Sequence, residues 1–225
     1  MLPGLINDAR LWQRQANTLA DIATTRIADI SRHDNIAALA ADVLTQAPER
    51  FALAGLSMGG YIALEIMRAA PERVLGLALC DTNARPDTAE STARRRQQIA
   101  QARIDFPQVV ESLTPSMFAP SHRGDTALAM LFADMAAQVG VEAFIRQQTA
   151  IMHRVDSRPG LARITCPTLV LCGGDDQLTP FALHKEMADA IADADLIIVN
   201  EAGHLSPLEQ PDAVSAALRH WLERL

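Results

Sequence analysis

What this sequence lacks excludes several classes of protein at once. No apolar run approaches the length needed to cross a membrane, and the first ten residues carry Asp8 and Arg10 instead of a basic stretch followed by an apolar one. Neither a spanning helix nor a secretory leader is therefore expected, and the expected location is cytoplasmic. There is no basic excess either. The formal net charge is −7, with acidic and basic residues mixed along the chain, which offers no footing for nucleic acid or an anionic membrane. Cysteine is scarce: Cys80, Cys166 and Cys172 are odd in number, lie in or beside apolar strand-like runs and have no metal-ligand spacing. They read as reduced core thiols. Internal repeats and low-complexity segments are absent.

What is present suits one domain with an insertion. A chain of 225 residues with 49% hydrophobic content can cover both faces of a sheet without disulfide staples. Met1 to Ile6 is short and apolar, turned at once by Pro3-Gly4. Asn7 or Asp8 can cap a helix bearing Leu11, Trp12, Gln15 and Leu19 on one side, Thr24 to Ile30 is a strand candidate, and Asp34 can cap a helix striped by Ile36 to Ala47. Phe51 to Ala54, a helix over Tyr61 to Ala70 and the run Val74 to Cys80 make a β-α-β unit, whose nearly continuous apolar strands predict a parallel sheet covered on both faces. Residues 84–158 then carry helical patterns only: Thr88 to Arg103, Gln108 to Leu113, Thr126 to Val139 and Val141 to His153. The sheet resumes at Thr168 to Cys172 and Leu196 to Val199, with a helix over Phe181 to Ala192 and a last one entered at Pro211.

Chemistry concentrates at Gly55-Leu56-Ser57-Met58-Gly59-Gly60, which stands between a strand and a helix. A serine in so tight a turn is forced into a strained backbone conformation, and Gly55 and Gly59 avoid the collisions a Cβ would make there. The turn presents Oγ, and the Met58 N–H and the positive helix end face any oxyanion that forms when Ser57 attacks a carbonyl. Two further loops follow strands: Gly173-Gly174-Asp175-Asp176 to Pro180, and Asn200-Glu201-Ala202-Gly203-His204. Strand ends of a parallel sheet open on one edge, so Ser57, Asp176 and His204 are expected to converge. A hydroxyl is a weak nucleophile that needs an imidazole to take its proton and a carboxylate to orient that imidazole.

In these three motifs and in their order the chain resembles the α/β-hydrolase family, in its capped single-domain form akin to esterases and enol-lactonases. The resemblance spans nearly the whole sequence. It implies an N-terminally shortened α/β-hydrolase fold, a mostly parallel sheet flanked by helices, with residues 1–83 and 159–225 as the core and 84–158 as a helical cap inserted as a lid. It also implies a catalytic set of Ser57, His204 and Asp176, with Asp175 and Asp81 as competing acids. The second oxyanion donor would be the Leu5 N–H beside that of Met58, with Ile6 behind it. His33, His122, His153, His184 and His220 read as surface or packing residues, while His153 and Arg154 at the end of a cap helix could face the pocket. Arg94-Arg95-Arg96 reads as a solvated face, any one of which could anchor a substrate carboxylate.

The sequence departs from that family at its start. Only Met1 and Leu2 precede Pro3, where relatives have a full strand between those at Thr24 and Phe51. Three explanations stay open: the flanking strands pair directly, a partner chain covers the gap, or the natural chain begins upstream. An open sheet edge also leaves room for a homodimer. The expected activity is hydrolysis of a small to medium carboxylic ester, thioester or lactone through an acyl-enzyme on Ser57, with an apolar part of this small-molecule acyl substrate under the cap. No metal or organic cofactor is required. Hydrolysis of a carbon–carbon bond and cofactor-free perhydrolysis use the same apparatus, and a ligand-binding receptor with negligible turnover is an alternative of another class.

Overall fold

A computed structural model describes all 225 residues. Four parallel strands form one sheet in chain order: β1 (Phe51–Leu56), β2 (Val74–Cys80), β3 (Thr168–Gly173) and β4 (Ala194–Val199). Helices α1 (Gln13–Thr18) and α2 (Ile36–Gln46) precede the sheet, and α3 (Met58–Ala69) links β1 to β2. Between β2 and β3 stand α4 (Ala89–Ala102), α5 (Phe106–Met117), α6 (Thr126–Val139) and α7 (Val141–Met152). The chain ends through α8 (Phe181–Ala190), the single turn α9 (Ser206–Glu209) and α10 (Pro211–Leu222). No single helix is long and apolar enough to cross a membrane.

Alternation along the strands divides the core into two clusters, one on each face. Leu53, Leu77, Leu79 and Val170 pack with α2, α3 and α8, whereas Ala54, Leu56, Ala78, Cys80, Leu169 and Leu171 pack with Leu11, Trp12 and Leu19 flanking α1 and with α10. The second cluster extends into the segment between β2 and β3: Phe132, Met135 and Phe144 are fully buried in it together with Leu11 and Trp12. Residues placed by their apolar patterning under a lid are thus turned into the core.

Several local expectations are corrected. Thr24 to Ile30 forms no strand. Its only backbone bonds to the sheet side run to one residue, the Met1 ammonium donating to Arg26 O at 2.7 Å and Ala28 N donating to Met1 O at 3.0 Å. Two bonds to a single residue fall short of the repeated pairing that makes a ladder. Nor do the two flanking segments pair directly, because Met1 and Leu2 lie between them. Leu2 makes a parallel bridge to Gly55, its N–H donating to Ala54 O at 2.8 Å and its carbonyl accepting from Leu56 N at 3.1 Å. Below this stub an apolar groove of about 290 Å³ runs between Ala52 to Ala54 and Thr24 to Arg26. Asn35, not Asp34, caps α2, its Oδ1 accepting from Ala38 N. Helix α5 continues through Pro115 to Met117 instead of ending at Leu113.

The stub is tightly held. The Leu2 carbonyl also accepts from Trp12 Nε1 at 3.0 Å, and α3 crosses so close that a Cβ on Gly59 would lie 2.4 Å from Leu2 O. Gly59→Ala is therefore expected to displace the stub, lowering stability by about 2 kcal/mol or more, measured as a fall in the urea midpoint with an unchanged m-value.

Candidate active site

The elbow is built by crowding. Ser57 has φ 53° and ψ −113°, a positive φ that non-glycine residues rarely adopt. The surroundings hold it there: Ser57 N donates to Cys80 O at 3.0 Å, while its carbonyl accepts from the Thr82 hydroxyl at 2.8 Å and from Gly60 N at 2.9 Å. Gly55 is required just before it, since a Cβ there would sit 2.3 Å from Gly59 O. Met58 is the first helical residue, so its N–H has no intrahelical acceptor.

Ser57, His204 and Asp176 come together from the ends of three strands. His204 Nε2 lies 2.8 Å from Ser57 Oγ, and Nδ1 lies 2.8 Å from Asp176 Oδ2. With Asp176 ionised, Nδ1 carries the proton that it donates to the carboxylate, which leaves Nε2 free to accept from the serine. Asp176 is fully paired. Leu178 N and Thr179 N donate to Oδ1 at 2.8 and 3.0 Å, and the Thr179 hydroxyl donates to Oδ2. Burial alone would raise the Asp176 pKa, but His204 and the Thr179 donors outweigh it and hold the carboxyl well below the ordinary range. For His204, burial opposes the charged form, and Asp176 beside it more than compensates, so its pKa is raised.

The competing acids are elsewhere. Asp175 is exposed, with its N–H donating to Ala202 O. Asp81 is fully buried, and burial, reinforced by the Asp176 charge, pushes its pKa far up. It ties strand ends together, accepting from Gly173 N at 2.7 Å and from the Ser206 hydroxyl.

The turn after the stub supplies a second unpaired N–H, that of Leu5, which lines the same cavity as Ser57 and His204. Ile6, the alternative donor, is occupied: its N–H donates to Gln147 Oε1 at 3.0 Å, and its φ of 52° is strained for a β-branched residue. Gln147 is completely buried on α7 and also donates to Ile30 O at 3.3 Å. Nothing in the sequence pattern marked it, because a glutamine inside a helix carries no signal until its partner is known. Glu209, which stands in the histidine-loop motif, is a second residue whose role the sequence did not show. Its buried carboxylate accepts from Gly203 N at 2.8 Å and Ala119 N at 2.7 Å and meets His122 Nδ1 at 3.1 Å. His204 N and Leu205 N both donate to Met117 O, the carbonyl that α5 exposes beyond Pro115. The histidine loop is thus fixed from outside the sheet.

The cavity over Ser57 measures about 520 Å³. Polar and charged side chains outnumber apolar ones along its wall, although apolar atoms still make up much of the lining surface. Arg94, Arg95 and Arg154 reach it along with Asn7, Ser91 and Gln98, while Leu5, Met117, Leu178 and Leu205 supply apolar surface near the serine. Arg95 does not belong to a solvated face: its side chain is only 20% exposed. Asn7 is buried at this wall with Nδ2 unpaired.

Of the other histidines, His184 is the one closest to this machinery. It is fully buried, its Nε2 accepting from Thr82 N at 3.0 Å, and its Nδ1 has no partner. The three cysteines are free thiols, and burial pushes the Cys172 pKa up to about 12.

Known proteins match this chain over most of its length. The family model described as the alpha/beta hydrolase family matches residues 9–217. A thermophilic esterase from Thermogutta terrifontis, solved with malate bound, aligns with a TM-score of 0.88 at 29% identity, covering 99% of this chain and 88% of that one. The enol-lactonase from Burkholderia xenovorans LB400 aligns with a TM-score of 0.85 at 24% identity, covering 99% of this chain and 90% of that one. A pimeloyl-acyl-carrier-protein methyl ester esterase from Neisseria meningitidis serogroup B is 24% identical over 195 residues, 84% of this chain and 75% of its own length.

Between pH 4 and 6.5 the His184 titration overlaps two others: the raised Asp81 pKa, which acts in the opposite sense from pH 3.8 upward, and the Met1 ammonium, which burial lowers from 8.0 to about 5. Burial lowers the His184 pKa from 6.5 to about 4, so at this site the unfolded chain binds the extra proton and the contribution of His184 to stability falls as pH drops from 6.5 toward 4. The raised His204 pKa acts in the opposite sense and only above pH 6.5, and the depressed Asp176 pKa acts only below pH 3.8. His184→Gln, whose amide oxygen can still accept from Thr82, is expected to remove that His184 contribution, worth up to about 3 kcal/mol, in urea unfolding across that range beside the wild type.

Proposed function

Because the chain belongs to the alpha/beta hydrolase family, we propose that it is a serine hydrolase that cleaves a small to medium carboxylic ester, thioester or lactone through an acyl-enzyme on Ser57. The observation that carries this reading is the relay of two 2.8 Å contacts from Ser57 Oγ through His204 to Asp176, set beside the unpaired N–H groups of Leu5 and Met58. The Thermogutta esterase and the Neisseria methyl ester esterase support ester chemistry.

His204 takes the Ser57 proton as Oγ attacks the carbonyl carbon, and Asp176 stabilises the imidazolium that forms. The oxyanion of the tetrahedral intermediate accepts from Leu5 N and Met58 N at the positive end of α3. His204 then passes its proton to the leaving oxygen or sulfur. A water deprotonated by the same nitrogen attacks the acyl-enzyme, and Ser57 recovers its proton as the acid departs. Helices α4 to α7 act as the cap that covers this chemistry. Gln147 is a positioning residue in this scheme, since it fixes the strained Ile6 and with it the direction of the Leu5 N–H.

Intact-mass labelling with a small fluorophosphonate should be rapid and stoichiometric in the wild type and absent in Ser57→Ala and His204→Ala. Labelling that persists in Ser57→Ala would sink the assignment, and labelling without turnover of p-nitrophenyl acetate would favour a ligand-binding receptor. The acidic limb of kcat/KM should have its midpoint above pH 6.5, and Asp176→Asn should lower kcat by about 10⁴-fold. Gln147→Leu should lower kcat about tenfold with little change in KM, less than the loss of an oxyanion donor outright; an equal rise in KM would contradict a role confined to the oxyanion turn.

A further inference from the structure

The cavity wall opposite the serine is unbalanced in charge. Arg94, Arg95 and Arg154 all reach it, and the only carboxylate among its lining residues is Asp87. A fourth arginine there, Arg85, is already neutralised by Glu186 through two bonds of 2.9 and 3.0 Å. Two positive charges thus remain uncompensated, inside a chain whose own net charge is −7.

These arginines are held in place. Asp87 Oδ1 accepts from Arg154 Nη1 at 3.0 Å and from Arg95 Nε at 3.3 Å, and its Oδ2 accepts from the Thr92 hydroxyl at 2.9 Å. Arg95 Nη1 donates to Gln148 Oε1 at 2.6 Å. Arg154 Nε donates to Arg85 O at 2.9 Å, and the guanidinium lies over the Tyr61 ring at 4.4 Å. Every one of these bonds leaves the same atom free: Nη2 of Arg95 and Nη2 of Arg154 make no hydrogen bond within the protein. Neither side chain is solvated as a surface arginine would be, with 20% and 8% of its surface exposed. Burial lowers the Arg95 pKa from its ordinary value, the direction expected for a cation short of counter-charge.

We propose that Arg95 and Arg154, with Arg94 at the mouth, form a carboxylate-recognition subsite, so that the substrate is an ester, thioester or lactone that itself carries a carboxylate remote from the scissile bond. This rests on the serine hydrolase reading for the bond cleaved. The recognition is independent of it: a planar carboxylate matches the fork of a guanidinium, and two prepositioned arginines bind it with little further ordering. The partial neutralisation by Asp87 fixes the geometry and leaves charge for the ligand to supply. A neutral substrate of the same size leaves those charges in a cavity with no partner, so the site discriminates by sign as well as by shape.

The test reads binding and turnover separately. With the Ser57→Ala protein, affinities are measured calorimetrically for monomethyl glutarate and for 4-acetoxybutyrate, which place the carboxylate on the acyl and the alcohol side, and for the methyl ester of each. At least one anion should bind about tenfold or more tightly than its neutral ester, and the preference should weaken in high salt and shrink in Arg95→Gln and in Arg94→Gln. Arg94 is exposed, so its variant is expected to fold even where loss of Arg95 unsettles α4. Equal binding of anion and neutral ester by both pairs would overturn the proposal, as would a preference that survives in both variants. On the wild type, turnover of the anionic esters over the neutral ones should follow the same ratio. Selective binding without any turnover would remove the hydrolase reading and leave the subsite standing.

Discussion

The structure depends on one close approach: α3 crosses the end of β1 with no room for side chains between them. A Cβ on Gly55 would meet the carbonyl of Gly59 at 2.3 Å, and one on Gly59 would meet Leu2 O at 2.4 Å. That contact forces the chain to reverse direction within one residue, and Ser57 takes the positive φ of 53° that results. The same crossing aims the first turn of α3 at the position an attacked carbonyl would occupy. It also presses Leu2 against β1, so the turn that offers the Leu5 N–H is located by the helix that offers the Met58 N–H. Strain at Ser57 and the placement of the Met58 and Leu5 N–H groups have a single cause.

Around this point the loops are restrained by polar groups buried outside the sheet. Glu209 closes the histidine loop onto Ala119 and Gly203, Asp81 joins the ends of β2 and β3, and Gln147 ties α7 to Ile6 and Ile30. Each is a buried polar side chain with its partners satisfied, the arrangement in which such groups add specificity instead of cost. The helices between β2 and β3 therefore serve the site twice. Their apolar faces complete the core through Phe132, Met135 and Phe144, and their polar residues reach back to hold loops and to line the cavity.

The first residues are well ordered against β1. A single residue, Leu2, makes both ladder bonds to β1, and the Trp12 indole caps the same carbonyl. Residues 24–30 bond to the stub only through Met1 and form no strand. β-propensity in Thr24, Thr25 and Ile27 is real but cannot replace a partner, since strand stability comes from cross-strand pairing and burial.

The sequence by itself determined the order of elements, the parallel sheet and the identities of Ser57, Asp176 and His204, because these follow from local periodicity and from loops that must lie at the ends of parallel strands. It determined the elbow through glycines whose spacing is dictated by helix and strand geometry. It did not determine why Leu5 and not Ile6 is unpaired, or that Arg95 turns inward while its neighbours stay solvated. Those depend on Gln147 and Asp87, whose partners lie between 5 and 141 residues away in the chain. Only the folded chain brings such partners within hydrogen-bond reach, and hydrogen bonds and ion pairs leave no periodic trace in the sequence that encodes them.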